Sequence, residues 1–116
     1  AIQAITIDDN LFDRYKNKQD FIQKYIFPGG FLPSKNSINK YVSDNDLSIK
    51  SYDSYADHYS STLTLWRNEF NKKWDKIKNH GFDLTFKRMW EFYLCYCEAG
   101  FKSKNIDLIQ FSIQNK

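Results

Sequence analysis

Few side chains in this chain have types and spacings suited to chemistry. His58, His80, Cys95 and Cys97 show neither C-x-x-C nor H-x-x-x-H spacing, so they predict no metal site. Cys95 and Cys97 are two residues apart, which on a helix places them on nearly opposite sides. They are read as reduced thiols. No G-x-S-x-G elbow presents a serine nucleophile. Gly29, Gly30, Gly81 and Gly100 do not lie in a glycine-rich strand-to-helix turn, so no cradle for an adenosine cofactor is expected. Tyr59 offers a phenol at the start of an apolar stripe. Gln3 shares a strand face with Ile5, and a buried Gln needs hydrogen-bond partners. Without further information Tyr59 and Gln3 read as structural residues rather than functional ones.

The elements that must position these groups follow from periodicity. Residues 1–7 read as a strand with Gln3, Ile5 and Ile7 on one face and Ile2, Ala4 and Thr6 on the other. Apolar residues on both faces predict a central strand of an α/β sheet. Residues 13–26 read as one helix with Phe21, Ile22, Tyr25 and Ile26 on a face, ended by Pro28-Gly29-Gly30. Ser34 is an expected N-cap for a helix carrying Ile38, Tyr41 and Val42. Leu47 and Ile49 alternate with polar residues, as in a half-buried strand.

Residues 56–80 give the clearest helix, with Tyr59, Leu63, Trp66, Phe70, Trp74 and Ile77 in one stripe and Gly81 as its stop. Asp83 is expected to cap a further helix carrying Phe86, Trp90, Tyr93 and Cys97, with Gly100 ending it. Residues 106–113 form the last strand, with Ile109, Phe111 and Ile113 on one face. The fold class is therefore α/β, helix-rich, with about three strands.

The 116 residues suffice for one domain or less, and 18% aromatic content excludes a disordered tail. A net charge of +3 with interspersed signs gives no nucleic-acid footprint. Weak attraction to anionic headgroups is compatible with it. The aromatics beside Arg67, Lys72, Lys73 and Lys76 fall on the helical stripe and are expected in the core rather than stacked on bases. No stretch reaches the roughly 20 apolar residues of a membrane-spanning helix.

Four spaced segments carry a resemblance. They are Phe21-Ile22-Gln23-Lys24-Tyr25-Ile26-Phe27-Pro28-Gly29-Gly30 with Leu32-Pro33-Ser34; Tyr59-x-x-Thr62-Leu63-x-x-Trp66; Arg88-Met89-Trp90-x-x-Tyr93-Leu94-x-x-Cys97-x-x-Gly100-Phe101; and Asn105-Ile106-Asp107-x-x-Gln110. Together they resemble the C-terminal part of the cyclopropane-fatty-acyl-phospholipid synthase and mycolic acid cyclopropane synthase family. The resemblance covers essentially the whole chain. It implies the later strands and acyl-pocket helices of a Rossmann-like S-adenosylmethionine-dependent methyltransferase, with residues 1–116 a fragment that begins after the cofactor loop.

The resemblance also implies chemistry. The family adds a methylene group from S-adenosylmethionine across a cis double bond of an acyl chain, with a bound bicarbonate as base. Tyr59 falls on the tyrosine that holds bicarbonate and faces the cation, and Ile5 on the residue whose backbone contacts that anion. Tyr93 and Cys97 fall on positions lining the acyl pocket. Gln3 stands where many members have histidine, and a neutral amide can bond an oxyanion but cannot carry a proton. The product could then be a methyl-branched or methylene chain instead of a ring.

The expected partners are unsaturated phospholipid acyl chains at the inner face of the membrane, met from the cytoplasm. The cofactor would be bound by upstream residues. The isolated chain is expected to be catalytically inert, and its open apolar walls favour self-association into a homo-oligomer. A stand-alone lipid- or protein-binding helical module is the alternative reading.

Overall fold

The computed structural model describes all 116 residues. Three strands form one sheet in the order β1 (Ile2–Ile7), β3 (Ile106–Asn115), β2 (Leu47–Ser54), with β3 antiparallel to both neighbours. Between β1 and β2 run α1 (Asp9–Lys16), a π-helical turn (Ile22–Ile26) and α2 (Lys35–Asp44). Between β2 and β3 stand α3 (Ala56–Lys72), the short α4 (Trp74–Lys78) and α5 (Leu84–Lys102), an antiparallel hairpin.

Within this chain β1 pairs along its length with β3 alone and lies at the edge of the three-strand sheet, so the second flanking strand that a central position requires is not among these residues. Its apolar pattern records cover on two faces, which says nothing about how many strands flank it.

The helix expected over residues 13–26 is two pieces. Asn17 closes α1, its side-chain amide donating to the Asp13 carbonyl at 2.8 Å. Asp20 and Gln23 then bond each other's backbone N–H groups reciprocally, at 2.8 and 3.0 Å, which starts a new turn. That turn is π-helical, with the Phe27 N–H donating to the Ile22 carbonyl at 2.8 Å.

The long helix expected over residues 56–80 is interrupted at Lys73, after which α4 continues for five residues. Gly81, at φ +93°, follows as the left-handed stop. Ser34 and Asp83 cap α2 and α5 as expected, accepting from the Ser37 and Phe86 N–H groups at 3.2 and 2.8 Å. Gly100 does not end α5, which runs on to Lys102; Lys104, at φ 62°, supplies the reversal. Gly100 serves packing instead, because a Cβ there would lie 2.9 Å from Ile106 Cγ1.

The core is small. Ala56 and Leu63 of α3 pack against Leu94 and Phe101 of α5, all at most 3% exposed, with Ile5, Ile106 and Leu108 of the sheet against them. Burying each large side chain contributes about 1.5–3 kcal/mol. Ile109 and Phe111 are buried outside that cluster, on the other face of β3 by strand alternation. Only the first turns of α3 and the last turns of α5 cover the sheet, so the rest of the hairpin projects. The radius of gyration of 16.9 Å accordingly exceeds the roughly 13 Å of a sphere-like chain this long.

Candidate functional site

Ile5, Tyr59, Tyr93 and Cys97 come from β1, α3 and α5, yet all four pack against the same apolar cluster. The spacing that puts Tyr59 four residues before Leu63 places both on the core stripe of α3. The 93/97 pair does the same on α5. The Tyr59 ring lies 4.7 Å from Phe101 and 6.1 Å from Trp66. Tyr93 sits 5.0 Å from Trp90 and 6.3 Å, edge-on, from Phe27 at the end of the π-helical turn. These rings form an aromatic cluster between the hairpin and the segment before Pro28.

Burial first, then the neighbouring Cys97 and Tyr59, raise the Tyr93 phenol above its ordinary value. Burial, reinforced by the Asp20 carboxylate, pushes the Cys97 thiol up to about 11. Both groups are therefore neutral at ordinary pH and suit an apolar wall. Cys95 is exposed on another side of α5 and takes no part.

Ile5 has a second property. The Ile7 N–H donates to the Pro33 carbonyl at 3.0 Å, away from β3, whereas the Asp8 N–H donates toward β3, to Asn105 at 2.8 Å. In an antiparallel pair successive residues alternate in direction. Gln3 and Ile5 therefore share the Ile7 direction, and their backbone polar groups face the open edge of β1. Gln3 itself is exposed, outside the apolar cluster. Its side-chain carbonyl accepts from Gln110 Nε2 at 2.8 Å, which leaves its own N–H₂ free to donate.

These residues fit a small oxyanion. The Tyr59 hydroxyl makes no hydrogen bond within the chain, the Gln3 amide has unspent donors, and the Ile5 backbone is open. They do not fit an adenosine cofactor. Gly100 is inside α5, Gly81 ends α4, and Gly29 and Gly30 follow the π-helical turn, so no glycine opens a strand-to-helix cradle.

Sequence reasoning missed Glu98. Its carboxylate, 7% exposed, accepts from Thr64 at 2.8 Å, Arg67 at 3.0 Å and Lys102 at 2.8 Å. It locks α5 to α3 one residue after Cys97. The i, i+4 spacing of Glu98 and Lys102 was the visible signal; the partners on α3 were not visible.

A family model described as mycolic acid cyclopropane synthetase matches residues 1–111. The chain belongs to this family. It is 44% identical over 114 residues to the tuberculostearic acid methyltransferase of Mycobacterium tuberculosis, covering 97% of this chain and 27% of that protein. It is 33% identical over 94 residues to the cyclopropane-fatty-acyl-phospholipid synthase of Escherichia coli K12, covering 81% and 24%. This cyclopropane synthetase relative thus spans about a quarter of the length of these two proteins.

Among solved structures it superposes on mycolic acid cyclopropane synthase CmaA1 complexed with SAH and CTAB, with a TM-score of 0.82 and 26% identity over 97% of this chain and 42% of that one. The cyclopropane synthase MmaA2 of Mycobacterium tuberculosis shares the fold, with a TM-score of 0.81 at 21% identity. The mixed helix and three-strand sheet is thus part of the methyltransferase fold of those enzymes, as expected from the sequence.

Proposed function

We propose that this chain is the C-terminal portion of an S-adenosylmethionine-dependent methyltransferase acting on the double bond of unsaturated phospholipid acyl chains. The observation that carries the reading is the convergence of Ile5, Tyr59, Tyr93 and Cys97, from three elements, on one apolar cluster in a chain of this family. S-adenosylmethionine, held by residues outside this chain, supplies the methyl group. The SAH complex of CmaA1 supports that cofactor.

Alkylation of an alkene leaves a positive charge in the acyl chain. An aromatic face beside it is stabilising, which suits Tyr59. Neutral Tyr93 and Cys97 keep the surroundings dry and bring no competing nucleophile. The Tyr59 hydroxyl, the Gln3 amide and the Ile5 backbone would hold a bicarbonate, which would supply a base. Loss of a proton from the transferred methyl with bond closure gives a ring. A hydride shift onto the cationic carbon before the same loss gives a methylene branch instead. Gln3 can hold the anion but cannot relay its proton, and the 44%-identical relative is named a methyltransferase for a fatty acid. Ring and methylene formation both give up one proton to the base, so Gln3 does not decide between them; the name of that relative favours the non-ring outcome. On this reading the protein would work in the cytoplasm, at the inner face of the membrane, where it would meet this substrate.

Mass spectrometry of the acyl chains of cells expressing the full-length parent tests this. A gain of one CH2 on monounsaturated chains is expected, with the methylene and ring isomers separated by ozonolysis, which cleaves only the alkene. Unchanged acyl chains, with the protein folded and the cofactor available, would sink the assignment in favour of a binding module.

A further inference from the structure

The chain's net positive charge resides at one place. Residues 69–88, at the tip of the α3–α4–α5 hairpin, hold six Lys and Arg against three Asp and Glu, a surplus of +3 that equals the net charge of the whole chain. The remainder of the molecule balances. The α3 helix carries this tip about 25 Å from its first residue beside the sheet.

The same tip exposes apolar side chains. Phe82 is 45% and Leu84 63% exposed, flanking the reversal after Gly81. The Phe82 ring lies 4.5 Å from Phe86, tilted against it, and Phe70 and Ile77 floor a shallow hollow of about 250 Å³ rimmed by Glu69, Lys73, Lys76 and His80. Lys76 and Arg88 make no ion pair, whereas Asp75 is already neutralised by Lys78 at 2.6 Å. Glu69 is shared by Lys72 and Lys73 at 3.8 and 3.3 Å and Lys87 pairs with Glu91 at 3.9 Å, so Lys76 and Arg88 are the tip cations without an ion pair. A water-facing hairpin end has no folding need for exposed Phe82 and Leu84 in a segment of net positive charge. A bilayer interface accommodates both, with apolar groups entering below the headgroups and lysines remaining among the phosphates.

We propose that the tip, residues 69–88, is a membrane-docking surface that inserts Phe82 and Leu84 into a bilayer of anionic lipids. The surplus of +3 selects anionic headgroups over zwitterionic ones. This rests on the acyl-lipid reading above and adds to it the part of the molecule that meets the bilayer. The projecting hairpin would hold the aromatic cluster at its base in a fixed relation to the lipid surface.

Cosedimentation of the 116-residue chain with vesicles of saturated dimyristoyl lipids tests it, since such vesicles contain no alkene and report docking alone. Binding is expected with phosphatidylglycerol and not with pure phosphatidylcholine, weakening as salt rises. The pair Lys72→Ala and Lys76→Ala should lower affinity about 25-fold, at roughly 5-fold per lysine. The pair Phe82→Ser and Leu84→Ser should lower it at every salt concentration. The pair Lys18→Ala and Lys50→Ala, with the same charge change elsewhere, should leave it within about 2-fold. Far-UV circular dichroism checks that each variant keeps its helices. Equal losses from both lysine pairs, or no binding to anionic vesicles, would overturn the proposal, the second result pointing to an acidic protein as the tip's partner. Because acyl modification is scored separately in cells, failure here leaves the enzymatic reading standing.

Discussion

Arg67 of α3 donates a 3.0 Å hydrogen bond to Glu98 of α5, in an ion pair whose carboxylate is nearly buried while the guanidinium is a third exposed. Hydrogen bonds from Lys102, Thr64 and Arg67 hold Glu98 well below its ordinary 4.5, at about 2. A lowered carboxylate pKa contributes stability that is fully present above about 4.5 and is lost as pH falls toward 2. Urea unfolding between pH 6 and pH 3 should therefore show stability falling with acid. Glu98→Gln should flatten that dependence. Glu98→Ala should cost about 2–3 kcal/mol at pH 7, because the partly buried Arg67 loses its acceptor while Thr64 keeps the Ser60 carbonyl at 3.2 Å.

Gly100 faces Ile106 across the α5–β3 turn. Alanine at this helical position would gain about 1 kcal/mol in propensity, but its Cβ meets Ile106 Cγ1 at 2.9 Å. Overpacking of that kind costs about 1–3 kcal/mol, so Gly100→Ala should be net destabilising. Combining it with Ile106→Ala should give a favourable coupling in a double-mutant cycle measured by urea denaturation. A stabilised Gly100→Ala protein would mean that Ile106 swings aside at no cost.

The two cysteines should differ sharply in reactivity. With its pKa pushed up to about 11, Cys97 is about one part in a thousand thiolate at pH 8. Cys95 is exposed. Brief iodoacetamide treatment followed by peptide mass spectrometry should find label on Cys95 and almost none on Cys97. Comparable labelling of both would contradict the packing of Cys97 between Tyr93 and the core.

Tyr59→Phe separates chemistry from folding. The hydroxyl makes no internal hydrogen bond, so the melting temperature of the full-length parent should change little. Removing the donor to an anion should lower turnover about 100-fold. Unchanged turnover, read by radiolabel transfer from S-adenosylmethionine to lipid, would remove Tyr59 from the anion site.

Much of this molecule is written in short-range pattern. The caps Ser34 and Asp83 and the stop at Gly81 are local hydrogen-bond and φ requirements, each met by residues within four positions. The stripe through Tyr59, Leu63 and Phe70 and the buried pair Ile109 and Phe111 follow from helix and strand periods. The Asp20–Gln23 box was equally local, but the apolar repeat through Phe21 and Tyr25 masked it. The quoted segments, matched against a known family, marked Tyr59, Ile5, Tyr93 and Cys97.

What the sequence by itself determined was therefore element type, most boundaries, and which face of each element is apolar. Tertiary structure alone decided the rest. Which strand lies beside β1 depends on β3, about a hundred residues away, and no local pattern encodes that pairing. Gly100 reads as a stop until Ile106 is seen against it. Glu98 reads as a surface acid until Thr64 and Arg67 arrive from another helix. The meeting of Ile5 with Tyr59 and Tyr93 likewise required the hairpin to close onto the sheet. Short-range patterns are fixed by backbone sterics and hydrogen bonds between neighbours; these contacts exist only once chain entropy has been spent to join distant segments.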